Sequence, residues 1–239
     1  MKNLLYCLLL IFIPIATMAQ GTITRPSKSS TVMSKKDNDT KRSKPKHEVV
    51  TISSPDGFIN GYGYVDLGLP SGLKWAYCNI DAETPSDFGN YYAWGEVIVK
   101  SFCDESNSKT YEQYIDDISG NQMYDVASKT WLSTWRIPTK NEFEELINNC
   151  VWKWGIYNNI QGYKVLGLNG HSIFIPATGY GIGRSKGKGR DEAAYYWSST
   201  PSMGNLKYAY RLHFQKYNDL HIVEGYYRCW GFSIRPVSD

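Results

Sequence analysis

Apolar and polar positions change period several times along the chain, and residues 135–154, WRIPTKNEFEELINNCVWKW, show the change most clearly. Phe143, Leu146, Ile147 and Cys150 recur at i, i+3, i+4 and i+7, the spacing of one helix face. Thr139 and Glu142 stand at T-x-x-E spacing ahead of that stripe. This is a capping box, in which each side chain takes a free N–H of the first turn. Asn148 and Asn149 weaken the helix near its end, because short amides compete for the backbone. Trp152 and Trp154 then alternate with Lys153, so the period switches from helix to strand. Phe143 and these two tryptophans are expected to anchor the core. Glu142, Glu144 and Glu145 read as a cap and a solvated face, since no second charged cluster pairs with them.

Elsewhere the pattern is of short strands. Residues 62–68 read as a strand, 69–72 as a Pro/Gly turn, and 73–80 as a returning strand with Trp75 and Tyr77 on one face. A polar loop, 81–90, leads to a short aromatic strand, 91–97. Residues 100–121 have no sustained period and read as a surface loop with one turn of helix. Asp125 caps a second short helix that runs to Trp131. Asn169-Gly170 between 162–168 and 171–176 signals a hairpin. Residues 179–190 read as a glycine-rich basic loop and 195–199 as a strand. Alternation is cleanest in 207–215, with Tyr208, Tyr210, Leu212 and Phe214 on one side and Ala209, Arg211 and His213 on the other. A turn at 217–219 and two strands, 220–223 and 229–237, finish the chain. Short strands with one or two short helices predict an α+β domain built on antiparallel strands and hairpins.

Composition changes this picture at the N-terminus. Lys2, the apolar run 4–15 and Thr17-Met18-Ala19 make residues 1–20 a secretory signal, cleaved near Ala19 or Gln20. The run is shorter than the roughly 20 residues a membrane span needs, and no other stretch could cross a bilayer. Cys7 lies inside the run, which argues against a lipid-modified cysteine after it. Residues 21–48 carry eight bases and three acids and no aromatic residue, a disordered basic linker by composition. The chain's net charge of +3 therefore belongs to its N-terminal part. Residues 49–239 hold all eight tryptophans and suffice for one well-cored domain. Export implies an oxidising compartment, so one or two disulfides are expected among Cys78, Cys103, Cys150 and Cys229, with the pairing open. A zinc site is disfavoured, because no two cysteines have C-x₂₋₄-C spacing.

Candidate chemistry is sparse. Gly183-Arg-Ser-Lys-Gly187 matches G-x-S-x-G, but no helix signal follows Ser185 to make a nucleophile elbow. Asp81, Glu83, Asp87 and Asn90 place several oxygens in one loop. Calcium is the one metal such a loop would suit, although the spacing is no EF-hand; no other cofactor is expected. His47, His171, His213 and His221 form no H-x₃-H-x-E cluster. Arg184, Lys186, Lys188 and Arg190 alternate with small residues in the glycine-rich loop, which leads through Tyr195 to Trp197. These four bases and Trp197 are the candidate ligand-binding residues, suited to an anionic partner.

Five blocks come in a familiar order: VDLGLPSGLKWAYCNI from Val65, YYAWGE from Tyr91, WRIPTKNEFEELINNCVWKW from Trp135, YYWSST from Tyr195 and GFSIRPV from Gly231. Together they resemble the Fibrobacter succinogenes major paralogous domain family across most of 62–237. That resemblance implies a C-type lectin-like fold of the kind found in the formylglycine-generating enzyme superfamily, and an exported protein. Asp81 stands where many members carry glycine. Formylglycine-generating enzymes use a cysteine pair late in the fold, whereas Cys229 has no cysteine near it in sequence. The expected role is an exported, non-catalytic binding module that contacts an anionic glycan or a surface protein, with no nucleic acid and no membrane span. A structural subunit of a surface assembly and an oxidase-like enzyme are the alternatives.

Overall fold

A computed structural model describes residues 48–239, apart from Ser133 and Tyr217. The expected signal and nearly all of the expected linker lie outside the described residues. In chain order, β1 (Gly57–Ile59), β2 (Tyr62–Asp66) and β3 (Lys74–Ala76) come first. A 3₁₀ turn, Glu105–Asn107, and the helices α1 (Val126–Thr130) and α2 (Lys140–Asn149) follow. Then come β4 (Val151–Tyr157), β5 (Ile160–Leu166), β6 (Ser172–Pro176), β7 (Tyr180–Ile182) and β8 (Ser185–Lys188). The chain finishes with β9 (Ala193–Pro201), β10 (Tyr208–Gln215), β11 (Asn218–Tyr227) and β12 (Val237–Ser238). The strands form four antiparallel sheets, ordered β1-β2-β3-β12, β4-β5-β6, β7-β8 and β9-β10-β11. The chain is thus mostly antiparallel sheet with two short α-helices among the described residues.

The helices form where spacing predicts. Thr139 accepts from Glu142 N, and the Glu142 carboxylate accepts from Thr139 N at 2.7 Å, closing the capping box. Glu142 also takes both arms of Arg136, at 2.9 and 2.8 Å, and Glu145 accepts from Ser71 N and Oγ. These two glutamates therefore hold loops together rather than simply facing water. Thr139→Ala should cost about 0.5–2 kcal/mol in urea denaturation, the usual loss of an N-cap. Asp125 caps α1, accepting from Ala127 N and Ser128 N.

Two hairpins go beyond the sequence expectation. Asn60-Gly61 joins β1 to β2 with φ 48° and 83°, and Asn158-Asn159 joins β4 to β5 with φ 48° and 65°. Two-residue turns with positive φ at both positions match the twist of the strands they connect.

Four expectations are corrected. Residues 91–97 are irregular, buried through Glu96, with one bridge from Tyr92 to Phe232, because a turn from Ala93 to Glu96 ends the extended run. Residues 229–237 make single bridges to three separate places, Gly231 to Gly181, Phe232 to Tyr92 and Ser233 to Tyr196, so no ladder can grow before β12. Residues 179–190 are the β7–β8 hairpin, not a loop; Ile182 pairs with Ser185 across Gly183-Arg184, and Gly183 supplies φ 54°. Tyr217, in the expected turn, lies outside the described residues, and β11 already begins at Asn218. Glu48, assigned by composition to the linker, belongs to the fold. Its carbonyl accepts from Ile156 N at 2.8 Å, and its carboxylate pairs with Lys153.

Two apolar clusters fill the interior. Phe143 and Leu146 of α2 pack with Trp75, Tyr163, Leu212 and Phe214 in one; Trp94, Trp135, Trp197 and Phe232 belong to the other. Trp152 and Trp154 are only partly buried against the first cluster. Cys78, Cys103, Cys150 and Cys229 are all free thiols, so no disulfide joins them, contrary to expectation. Among the described residues no helix is long and apolar enough to cross a membrane.

Candidate functional site

The β9-β10-β11 sheet carries the chemistry. Strand period puts alternate residues of each strand on one face. Register sets Arg211 between Trp197 of β9 and Glu224 of β11, and His213 between Tyr195 and Ile222. The opposite face, with Leu212 and Phe214, packs into the first apolar cluster. The Arg211 face is overlaid by rings from elsewhere. Tyr180 of β7 stacks on Trp230 with centroids 5.1 Å apart and meets Tyr195 edge-on at 5.2 Å. Trp230 in turn meets Tyr226 at 4.8 Å. Tyr180, Tyr195, Tyr226 and Trp230 are each partly exposed, so the ring cluster opens on the surface.

Arg211 lies inside this cluster at 3% exposure. Its Cζ is 4.7 Å from the Tyr195 centroid and 4.4 Å from that of Tyr226. Nη2 donates to Glu224 Oε1 at 2.9 Å, while Nε and Nη1 find no acceptor among the described residues. Burial pushes the guanidinium below its ordinary range, and Glu224 opposes the shift. His213 stacks on Tyr195 at 4.6 Å and 8°, with Nδ1 3.4 Å from Glu224 Oε1. Burial, then the Arg211 charge, push His213 down to about 4 from 6.5. Folding thus favours neutral His213. Its contribution to stability is fully present above pH 6.5 and is lost as pH falls from there toward 4, where the unfolded chain alone binds the proton. His213→Gln should therefore flatten the pH dependence of the melting temperature between those two values. An unchanged acid limb in the variant would count against the assignment.

Beside the ring cluster is a cavity of about 800 Å³ lined by Tyr180, Lys188, Glu192, Tyr195, Gln215 and Lys216. Of the four candidate bases, only Lys188 lines it. Arg184 lies over the Phe102 ring at 5.6 Å, and Lys186 projects from exposed β8. Arg190 turns back onto Phe88 at 4.6 Å, with Nε donating to Tyr91 Oη at 3.0 Å. Gly187 permits this fold-back, because a Cβ there would lie 2.1 Å from Arg190 Nε. The four bases therefore do not form one patch. Trp197 is corrected as a ligand contact: it is 1% exposed, and its Nε1 donates to the Tyr92 carbonyl at 2.8 Å. It is a core residue, because the two segments carrying Tyr92 and Phe232 cover its strand. The site residues missed in the sequence are Tyr180, Arg211, His213, Glu224, Tyr226 and Trp230. The alternation in 207–215 was the available signal, since it put Arg211 and His213 on one face.

The remaining candidates separate in space. Ser185 opens β8, with a strand rather than a helix after it. Ser185→Ala should thus leave ligand binding unchanged, and a fluorophosphonate probe should not label Ser185 on intact-protein mass spectrometry. Asp81 accepts from Asn90 and Tyr92, whereas Asp87 accepts from Glu83 N and Thr84 N, so both carboxylates serve local turns. Asp81 holds φ 60°, a conformation that glycine adopts without strain. His171 pairs with Asp56, while His213 and His221 occupy opposite faces of β10-β11, given the His213–Ile222 register. Burial pushes the Cys150 and Cys229 thiols each up to about 11, the reverse of what a nucleophilic thiol requires. Comparison with protein-family models, curated proteins and solved structures gave no match.

Proposed function

We propose that this chain is an exported, non-catalytic binding module of C-type lectin-like fold that takes glycans at the Tyr180–Trp230 face. The observation that carries the reading is the cavity of about 800 Å³ walled by Tyr180 and Tyr195 and edged by Lys188, Glu192, Gln215 and Lys216. A sugar has apolar C–H faces and a rim of hydroxyls. Partly exposed rings offer the first a flat apolar surface, and mixed polar side chains offer the second donors and acceptors. The resemblance of the five sequence blocks to exported lectin-like domains supports the same reading.

The test is a glycan array probed with the purified chain, followed by titration of any hit. Tyr180→Ala and Lys188→Ser should each weaken binding by about tenfold, since one good contact is worth about 1.4 kcal/mol. Arg184→Ser, away from the cavity, should leave it unchanged. Retention of no glycan at all, or equal effects of Lys188→Ser and Arg184→Ser, would sink the proposal.

A further inference from the structure

Among the described residues three arginines are buried, and they are not treated alike. Arg235 donates through all three nitrogens, to Asn79 and to the carbonyls of Ala76, Tyr77 and Phe174. Arg228 donates to the carbonyls of Tyr208, Thr110 and Gln113 and covers the Trp94 ring at 4.2 Å. Arg211, 3% exposed, has a single acceptor among the described residues, Glu224, and two nitrogens without one. Buried guanidinium donors are normally satisfied, because leaving them unpaired forfeits their hydration. A fold that satisfies Arg228 and Arg235 with carbonyls supplies none to Arg211.

The acceptor Arg211 does have is of a different kind. Glu224 stands on the edge strand β11 with its side chain 44% exposed, whereas the Arg211 side chain is 4% exposed. The carboxylate therefore reaches the guanidinium from the solvent side. The same oxygen, Oε1, also lies 3.4 Å from His213 Nδ1. Tyr195 and Tyr226 flank the guanidinium, a geometry that holds it flat by cation–π attraction, and Glu224 stands between its Nη2 and solvent. Tyr195 is also a wall of the cavity, so the cavity and Arg211 share one ring.

We propose that Arg211 is the receptor for the carboxylate of an acidic sugar, and that Glu224 holds its place until such a ligand competes for it. This rests on the glycan-binding reading of the adjoining cavity. The sugar ring lies in the cavity against Tyr195 and Tyr180, and its acid group exchanges with Glu224 on Arg211. No covalent step is involved. Glu224 swings toward water, where its exposure already places part of it.

The experiment is calorimetric titration of the full chain with a tetrasaccharide containing glucuronate, and with its carboxyl-reduced counterpart, in which glucose replaces glucuronate. The acid form should bind at least tenfold more tightly. Arg211→Lys should abolish that advantage while leaving affinity for the reduced form within twofold, because an ammonium lacks the planar fork. Glu224→Gln, which removes the competing charge but keeps an acceptor on Arg211, should raise affinity for the acid form several-fold and leave the reduced form unchanged. Circular dichroism melts of both variants establish that they fold. Equal binding of acid and reduced forms would overturn the Arg211 assignment while leaving the glycan-binding reading intact. Binding of neither form, when the array also retains nothing, would remove both. A sulfated tetrasaccharide that binds as tightly as the acid form and is indifferent to Arg211→Lys would move the anion contact to Lys188 and also overturn the assignment.

Discussion

Arg235→Met is expected to leave little folded protein. The guanidinium is fully buried and donates to Asn79 Oδ1 at 2.8 Å and to the carbonyls of Ala76, Tyr77 and Phe174 at 3.0, 2.8 and 2.9 Å. Those acceptors lie in two segments far apart in sequence, the end of β3 with the loop after it, and the middle of β6. Asn79 extends the network by donating to Phe88 O and to Tyr196 Oη, and Tyr196 donates to Pro176 O. Methionine fills similar volume but strands four buried acceptors. Each stranded group costs about 1–3 kcal/mol, against a typical total stability of about 5–15 kcal/mol. Circular dichroism should find the variant unfolded or melting at least about 10 °C lower, since a chain of this size loses about 2–4 °C per kcal/mol. A melting temperature within a few degrees of wild type would show that water replaces the guanidinium, and that the network is not what holds β3 to β6. Lysine should not rescue it, because one ammonium cannot reach four acceptors spread around a planar fork.

Phe143→Ala should cost about 3–5 kcal/mol, the range for deleting a buried aromatic ring and leaving part of its cavity. Phe143 is 0% exposed and packs 5.5 Å from Trp75, the point where α2 meets the β1-β2-β3-β12 sheet. The comparison that makes the result informative is Trp152→Ala. Trp152 is the larger ring but is only partly buried, with Nε1 on the Leu146 carbonyl and ring contacts to Tyr163 and Phe214. Its truncation should cost less, about 1.5–3 kcal/mol on an area argument. Urea denaturation of the two variants gives the order directly. If Trp152→Ala were the more damaging, the sheet face beneath β4, rather than the α2 contact, would be the centre of the first core.

Local chemistry was legible in the sequence, and the particular residues explain why. Thr139 and Glu142 cap α2 with each other's backbone, and Asp125 caps α1; both effects act within a few residues and need no tertiary partner. The Asn169-Gly170 hairpin forms for the same reason, as Gly170 supplies φ 88° within the turn itself. Alternation in β10 is likewise local, and it sorted Arg211 and His213 onto one face.

Helix positions and caps, the turns at 69–72 and 169–170, the antiparallel character and the alternation that creates a polar stripe in β10 are all written locally in the sequence. Each is fixed by backbone preferences and side-chain spacing over a few residues. What surrounds that stripe is a matter of tertiary packing. Arg184, Lys186, Lys188 and Arg190 look like one patch in sequence, but hairpin geometry and ring packing send Arg190 to Phe88 and Arg184 to Phe102, leaving Lys188 at the cavity. Trp197 looked like a surface ring and is core, because segments carrying Tyr92 and Phe232 close over it. Arg211 acquires its rings from β9 and β11 and from the segment after β11, and its distinction from Arg228 and Arg235 is a matter of which carbonyls happen to converge. Convergence of that kind depends on contacts between residues tens of positions apart, which no local period encodes.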